Sequence, residues 1–224
     1  KPLELDTANP IYKDSLYVNA DKDGKLVYHP TKLSTAEELR KNPQDHGGKT
    51  KAKILKQEGR NGAWQVIMIE DMPNIPRDGR GKTVGGRKQI DTGGNGIEGY
   101  VEKDKNGKLK TPSPAEYLKA TQAESQKKNG KYEHEAGMTP EEQIIYAIRY
   151  LEENDQVIDD YDDTRGGKGS ISLNIGGYFV SSSAVPDACW NRDAGLARLD
   201  WHVQDDRFEH CGFRPGVRLK KLRS

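Results

Sequence analysis

The sequence predicts an α+β protein in which short, mostly antiparallel strands are joined by long loops and by two or three helices. Three observations predict this class. Two segments carry complete helix-start signals, several short runs alternate apolar and polar residues, and glycine-rich stretches without a hydrophobic period separate them. Strands interrupted by a few helices favour antiparallel pairing over a wound parallel sheet. Hydrophobic residues are 33% of the chain and charged residues 32%, so we expect a lean core.

The first third of the chain predicts two strand pairs and one short helix. LYVNADKDGKLVYHP has apolar residues on both sides of the turn signal DKDG, which predicts a hairpin. In LSTAEELRKNP, Ser34 followed by Glu37 predicts a capping box, and Pro43 ends the helix. Residues 51–71 predict a second strand pair, in which WQVIMI is the most apolar run and is expected to be a central strand.

The middle of the chain predicts an insertion followed by a helix. Residues 72–99 combine glycine, proline and charge without a hydrophobic period. We expect them to form a long Gly-rich insertion within a single domain that spans residues 1–224. Ser113 as N-cap, Pro114 at the first helical position and Glu116 in the first turn then predict a helix.

The clearest helix signal is TPEEQIIYAIRYLEEN. Thr139, Pro140 and Glu142 form a capping box with proline at the first helical position. The helix is expected to bury one apolar stripe, formed by Ile144, Ile145, Ile148 and Leu151.

Short elements follow to the end of the chain. GSISLNI and LARLDW predict strands, and GGYF predicts a turn. GFRPGVRL, residues 212–219, alternates as a single strand with Phe213 on one face and Arg214 on the other. The preceding RFEHC, residues 207–211, has the period of neither a strand nor a helix.

Charge and hydropathy exclude two classes of partner. Residues 1–133 hold 25 Lys and Arg against 19 Asp and Glu, a balance of +6, and residues 134–224 have a balance of −5. Because the lysines are scattered among acids in loops, a solvated surface is predicted and nucleic acid is not an expected partner. No run of about 18 apolar residues occurs, so no membrane span is expected.

A phosphate-binding loop is not expected either. PRDGRGKT, residues 76–83, ends in GKT, but Pro76 stands where the motif needs a glycine whose amide can wrap a phosphate. The glycine-rich segment that follows also lacks the helix that the motif requires. A structured glycine loop is the simpler interpretation.

The sequence contains no motif that defines a metal site or a catalytic thiol. DDYDDTRGG clusters carboxylates that a hard cation would favour, but the spacing is not that of an EF-hand, and a solvated acidic loop is the commoner explanation. Cys189 and Cys211 exclude a disulfide scaffold and leave a single bridge open. No motif pairs either cysteine with one of the five histidines. We therefore expect no enzyme activity, no cofactor and no metal.

The tail from Gly176 onward resembles the C-terminal segment of proteins with the formylglycine-generating-enzyme type of C-type lectin fold. The resemblance covers about a fifth of the chain and rests on CWNR, Arg198, Arg207 and GFR. It implies a C-type lectin-like fold. Catalytic members carry two closely spaced copper-binding cysteines, whereas this chain has Ala184 five residues before Cys189. A two-thiolate copper site is therefore not expected.

Within that fold, the tail is similar to the variable proteins of diversity-generating retroelements. These end in GFRP-like sequence after a tract whose adenine-containing codons are randomised by an error-prone reverse transcriptase. The resemblance implies a non-catalytic receptor-recognition protein of a virus or microbe, with a hypervariable region at about residues 178–211. Selection on binding would explain why RFEHC is unpatterned beside the regular GFRPGVRL.

The implied ligand is a protein or glycan on a cell surface, and the implied location is a virion or cell surface. Rigid aromatic side chains beside adaptable polar groups suit such a surface. The expected ligand-binding residues are Tyr178, Phe179, Ser181, Ser182, Asp187, Trp190, Arg192, Trp201, His202, Val203, Phe208, Glu209 and His210.

Two other interpretations stay open, and the sequence does not decide the oligomeric state. One is an enzyme of the same fold that uses the thiols or a metal near Asp159, Asp160, Asp162 and Asp163. The other is a carbohydrate-binding module with a fixed site, where aromatic rings stack on sugars. Trp190 or Trp201 could also belong to the core, while Phe208 between charged neighbours is the strongest candidate for an exposed anchor.

Overall fold

The computed structural model describes residue 20 and residues 22–58, 66–69, 102–103, 109–110, 112–130, 132–162, 168–169, 171–208 and 210–219. Over these residues the protein combines four helices with three β-sheets, so the α+β class is confirmed. The predicted insertion at residues 72–99 lies outside the described residues, and the single domain stays a prediction. None of the described helices is long and apolar enough to cross a membrane.

Helices and strands alternate irregularly along the chain. The helices are α1 Ala36–Lys41, α2 Lys51–Glu58, α3 Pro114–Ser125 and α4 Pro140–Asn154. The strands are β1 Leu26–Tyr28, β2 Val66–Ile69, β3 Glu102–Lys103, β4 Leu109–Lys110, β5 Glu135–Gly137, β6 Asp160–Asp162, β7 Lys168–Gly169, β8 Ile171–Leu173, β9 Gly177–Phe179, β10 Ala184–Asn191, β11 Leu196–Val203, β12 Cys211–Phe213 and β13 Pro215–Leu219.

Local capping signals fix the starts of three helices. Ser113 caps α3 and Thr139 caps α4, each with the predicted reciprocal glutamate and with proline in the first turn. The cap of α1 is Thr35, paired with Glu38, one residue later than predicted. Ser34 is not the cap; its buried hydroxyl is turned towards residue 45 and donates to the carbonyl oxygen of Asp45 at 3.0 Å.

The strand pair predicted over residues 51–71 is wrong in its first half. Lys51–Glu58 is a helix, in agreement with the high helix propensity of Ala, Lys, Leu and Gln in this segment. The second half, β2, pairs with β13 at one end of the described order β2-β13-β5. Among the described strands it is therefore an edge strand rather than the central strand predicted, and Met68 is 54% exposed.

The second arm of the hairpin predicted around DKDG forms a long-range pairing. β1 pairs with β9, with Val27 opposite Tyr178, so GGYF is a strand rather than a turn. Both strands are fully buried. Residues 16–19, the first arm of the predicted hairpin, lie outside the described residues.

Strand β10 is the centre of the main sheet. One edge pairs with β11 along its whole length, from Ala184 opposite Val203 to Asn191 opposite Leu196. The other edge pairs in turn with β9, β8 and β6. Most pairings are antiparallel, as predicted, although β10–β6 and β12–β8 are parallel. The strands predicted from GSISLNI and LARLDW are confirmed as β8 and β11.

GFRPGVRL does not form the single strand that its alternation predicts. β12 belongs to the main sheet, β13 belongs to the three-stranded sheet, and Arg214 lies between them. The side chain of Arg214 is 2% exposed, so the prediction that it lies on a polar strand face is wrong. Its guanidinium donates to Asp159 Oδ1 at 2.9 Å, and this buried ion pair fixes the break between the two strands.

Two further side chains complete the buried polar cluster. Asp159 Oδ2 accepts hydrogen bonds from Ser172 Oγ at 2.6 Å and from Gln143 Nε2 at 2.7 Å. We call Asp159, Arg214, Ser172 and Gln143 the Asp159 network. It ties α4, β8 and the β12–β13 junction together, and three donors on one carboxylate are what a buried charge requires.

The apolar stripe predicted for α4 is buried only in part. Ile144 is 8% exposed and packs in a core cluster with Tyr28, Phe179 and Ala184. By contrast, Ile145, Ile148 and Leu151 are 45–48% exposed. The helix therefore contacts the sheet through its first turns and presents apolar side chains to solvent further along.

Candidate functional site

The hairpin β10–β11 sorts the predicted binding residues onto two faces. Val185 lies opposite His202 and Pro186 lies opposite Trp201. Residues directly opposite share a face, and successive residues alternate, so His202 and Trp201 point to opposite sides. The helix face of β11, which α4 partly covers, carries Ala197, Leu199, Trp201 and Val203.

On the other face, four rings contact one another in a row, each pair tilted by 31–49°, and we call this row the aromatic ladder. The ring centroids of His202 and Phe208 are 5.0 Å apart, those of Phe208 and His210 are 5.5 Å apart, and those of His210 and Tyr161 are 4.8 Å apart. Phe208 is 40% exposed, whereas Tyr161 is buried at 8%. The ladder therefore joins an exposed aromatic to the core.

The ladder brings together three of the predicted binding residues, His202, Phe208 and His210. The fourth member, Tyr161, was not predicted. The four carboxylates of DDYDD suggested metal chemistry instead. The available signal for a buried strand residue was one aromatic side chain flanked on each side by acidic ones.

The loop that carries Phe208 is fastened at both ends. Gln204 is 3% exposed; its amide donates to the carbonyl oxygen of Ser183, and its own carbonyl accepts from the amide of Ala115 at 3.1 Å. Arg207 donates to both carboxylate oxygens of Glu116, at 2.6 and 2.7 Å. Since Glu116 also closes the capping box of α3, the loop is fixed to the start of that helix.

A thiol, an imidazole and a carboxyl group meet beneath the ladder. Cys211 Sγ lies 3.6 Å from His202 Nε2, and Asp187 Oδ2 lies 3.5 Å from the same nitrogen. Burial raises the pKa of Cys211 well above its ordinary value of 9.0 and lowers the pKa of His202. Burial also raises the pKa of Asp187 well above 3.8. These shifts favour neutral groups, the opposite of the thiolate and imidazolium of an activated cysteine.

The two cysteines are free, so the single bridge left open by the sequence is absent. Cys211 pairs with Ile171 on one edge of β8, and Ala188, next to Cys189, pairs with Ser172 on the other edge. An intervening strand separates two neighbours by roughly 9–10 Å, beyond the reach of a disulfide at about 7 Å. Burial raises the pKa of Cys189 to about 12.

Several predicted residues lie away from the ladder. Tyr178 and Phe179 are 0% exposed and belong to the core, which corrects their assignment to a ligand surface. Trp201 and Val203 are 41% and 37% exposed, on the helix face of β11. Trp190 is half-buried on the same side of the hairpin.

The remaining predicted residues surround these groups. Ser181 is exposed and Ser182 half-buried in the turn before β10. Arg192 is exposed, and its Nε donates to Asp160 Oδ1 at 3.0 Å. Asp187 is buried at 1% exposure, where it can orient His202 without reaching the surface. Glu209 lies outside the described residues.

Two carboxylates of the acidic segment form ion pairs with arginines. Asp159 pairs with Arg214, and Asp160 pairs with Arg192, so two of the four carboxylates proposed for a metal are already neutralised. Asp163 lies outside the described residues. Across the described part of the chain, no group of three or more His, Cys, Asp or Glu side chains is placed to hold a metal ion.

The fold and the ladder together define an α+β protein with a partly exposed row of aromatic rings beside the β10–β11 hairpin. Comparisons with protein families, with curated proteins and with solved structures find no match. The C-type lectin-like fold and the kinship with retroelement variable proteins therefore stay predictions, and function has to be argued from the geometry.

Proposed function

We propose that this is a non-catalytic ligand-binding protein that displays a variable C-terminal surface on a C-type lectin-like scaffold. The aromatic ladder is the centre of the surface. The observation that carries the proposal is the convergence of His202, Phe208 and His210, which come from two separate stretches of the tail, into one partly exposed row of contacting rings.

The physics of recognition supports this proposal. A partner gains most from rigid aromatic side chains because they contribute large contact area at low cost in conformational entropy. Phe208 has this character, and the histidines on either side of it offer hydrogen bonds. The loop is held before binding by Gln204 and Arg207, which lowers the entropy lost on association.

The contacts also suit a surface whose residues change. Phe208 and His210 meet their neighbours through ring faces and edges, which other side chains can replace. Phe213 and Arg214, immediately downstream, are buried at 0% and 2% exposure and tolerate no such exchange. A variable tract that stops before the buried Cys211, ahead of a fixed GFRP sequence, fits this division.

The first test is sequence variation at the natural locus. We expect substitutions at codons 202, 208, 209 and 210, invariant codons 212–215, and a near-copy of the segment beside a reverse transcriptase gene. Deep sequencing of codons 170–224 and of the DNA downstream measures this. An invariant tract without a second copy would overturn the variable-protein part and would favour a carbohydrate-binding module with a fixed site.

The second test locates the binding surface. The whole protein, labelled on its N-terminal side, is applied to intact microbial cells and to a printed glycan array. We expect Phe208→Ala to weaken binding about tenfold or more, as for a central aromatic anchor. The matched control is Trp201→Ala, because Trp201 is equally exposed but lies on the helix face of β11.

Each outcome of the second test bears on the proposal. Loss of binding in Phe208→Ala alone supports the ladder as the site, and protease treatment of the cells then separates a protein ligand from a glycan. Equal loss in both variants, or loss in Trp201→Ala alone, would place the site elsewhere and contradict the proposal.

A further inference from the structure

Strand β11 has an outer edge that no described strand occupies. Leu196–Val203 is eight residues long, and across the described ranges its only strand partner is β10. The strand contains neither proline nor glycine, the residues that commonly interrupt strand pairing. A long edge of this kind is a template on which a further strand can pair.

The backbone groups of β11 alternate between its two edges. The amide of Gln204 donates to the carbonyl oxygen of Ser183 at 3.2 Å, one position beyond the last residue pair of the hairpin. Even-numbered residues of β11 therefore direct their backbone groups towards β10, and odd-numbered residues direct theirs outwards. The amide of Trp201 agrees with this, because it donates to Asp200 Oδ1 at 2.9 Å rather than to β10. A side-chain carboxylate takes the place that a carbonyl oxygen of a neighbouring strand would fill.

Two opposite charges lie on the same face of this edge strand. Arg198 and Asp200 are two residues apart, form an ion pair with each other, and have side chains that are 45% and 38% exposed. In an antiparallel copy of the strand, the same two charges come in the opposite order. When Leu199 lies opposite Leu199 of a second copy, Arg198 of each copy therefore lies opposite Asp200 of the other.

The charges select this register over its two neighbours. A shift in one direction places Arg198 opposite Arg198 of the second copy, and a shift in the other direction places Asp200 opposite Asp200, so each shift creates a like-charge pair. In the selected register the outward backbone groups of Leu199 face those of its counterpart. Arg198 and Asp200 then occupy positions without backbone hydrogen bonds, where opposite side chains are closest.

We propose that the protein forms a two-fold symmetric dimer in which β11 pairs antiparallel with β11 of a second copy, centred on Leu199. Each ion pair within a strand is exchanged for one between the copies, and Asp200 releases the amide of Trp201 to the new strand. Asp206 Oδ2 holds the amide of Val203 at 2.9 Å, so the pairing stops before that residue. A symmetric interface needs no second surface and closes at two copies.

The dimer goes beyond the proposed function, because it concerns self-association and requires no ligand. Since residues that lie directly opposite share a face, both ladders lie on the same face of the joined sheet. The contact is short, and we expect a weak dimer with a dissociation constant of about 10–100 µM. Sedimentation equilibrium of the whole protein from about 1 to 500 µM should show the mass rise from one copy to two.

Single charge changes test the register. Arg198→Asp and Asp200→Arg each place like charges opposite each other at both ends of the pairing, and we expect each to weaken the dimer about tenfold or more. Arg149→Asp is the matched control. It makes the same change in charge at an exposed position on α4, and we expect it to leave the dimer unchanged.

A mixture of the two variants separates a lost contact from a lost fold. Two carboxylates on one chain then face two guanidinium groups on the other, so Arg198→Asp and Asp200→Arg are expected to associate with each other although neither associates with itself. The double variant, which exchanges the two charges within one chain, is likewise expected to dimerise. Recovery in either experiment requires folded chains and cannot come from a general change in net charge.

Three results would overturn the proposal. The first is an unmodified protein that stays monomeric up to about 500 µM. The second is a dimer that Arg198→Asp and Asp200→Arg leave intact, because the contact would then lie on another surface, such as the exposed apolar residues of α4. The third is a mixture of the two variants that fails to associate.

Discussion

Residues 207–211 and residues 212–219 are consecutive in the chain, yet they are stabilised in different ways. The first stretch presents Phe208 at 40% exposure and rests on ring contacts and a surface ion pair. The second begins with the buried Phe213 and Arg214 and is held by the Asp159 network. The difference is that the side chain of Phe208 meets solvent, whereas Phe213 and Arg214 are enclosed by the core.

The two arginines that pair with the acidic segment extend this comparison. Arg214 pairs with Asp159 in the interior, and Arg192 pairs with the next residue, Asp160, at the surface. Removing one partner of a buried pair leaves an uncompensated charge, whereas an exposed pair exchanges with water.

The largest expected effect is therefore that of Arg214→Met. We expect it to lower the free energy of unfolding by about 3–5 kcal/mol, measured by urea denaturation at neutral pH. Arg192→Met, the matched surface change, is expected to lower it by about 0–1 kcal/mol. A similar loss of unfolding free energy in both variants would contradict the view that the buried ion pair stabilises the protein more than the exposed one.

Asp187 provides a pH-dependent test beneath the ladder. Burial raises the pKa of this carboxyl group well above 3.8, so the stability that the protonated group contributes at low pH is lost as pH rises through the folded pKa. Asp187→Asn does not titrate. We expect its gain in melting temperature over the unmodified protein to be larger at about pH 7.5 than at about pH 4.5. A pH-independent difference would contradict a buried, protonated Asp187.

His202 is expected to act in the opposite direction. Burial lowers its pKa below 6.5, while the carboxylates of Asp206 and Asp200 raise it and Arg198 lowers it further. As pH falls, His202 is protonated in the unfolded chain before it is protonated in the folded protein. The contribution of neutral His202 to the free energy of unfolding is therefore present above about pH 6.5 and is lost as pH falls through the folded pKa. Melting temperatures between about pH 7.5 and 5.5 measure this, and His202→Gln should flatten the profile. An unchanged profile in the variant would exclude His202 as the cause.

The smallest expected effect is that of Arg207→Ala. Its bidentate pair with Glu116 is about one-third exposed, so we expect a loss of about 1 kcal/mol or less in the free energy of unfolding. Faster amide hydrogen exchange in residues 205–208 should accompany it, because the loop loses one of its attachments. Arg149→Ala, which removes exposed pairs within α4, is the control and should not change exchange in that loop.

Local chemistry made part of this structure predictable. Reciprocal hydrogen bonds over three residues define the starts of α3 and α4, and strand alternation identified β8 and β11. Prediction failed where a distant partner changed the outcome. β1 pairs with the distant strand β9, and the hydroxyl of Ser34 donates to the carbonyl oxygen of Asp45 while Thr35 caps the helix.

The predicted binding residues divide in the same manner. The unpatterned RFEHC pointed to Phe208 and His210, but Tyr178 and Phe179 were placed on the wrong side because a short GGYF segment carries no signal of its long-range pairing. Alternation alone could assign the residues of β11 to two faces. It could not tell which of the two faces would contact α4.

By itself, the sequence determined the α+β class, two of the helix caps and the contrast between an irregular tract and a regular tail. Each of these depends on residues within a few positions of one another. The tertiary structure alone decided that Arg214 is buried, that four rings from separate segments contact one another, and that β11 lies at the edge of the described part of the main sheet. Asp159 and Arg214 are 55 residues apart, and a contact over that distance leaves no local period in the chain.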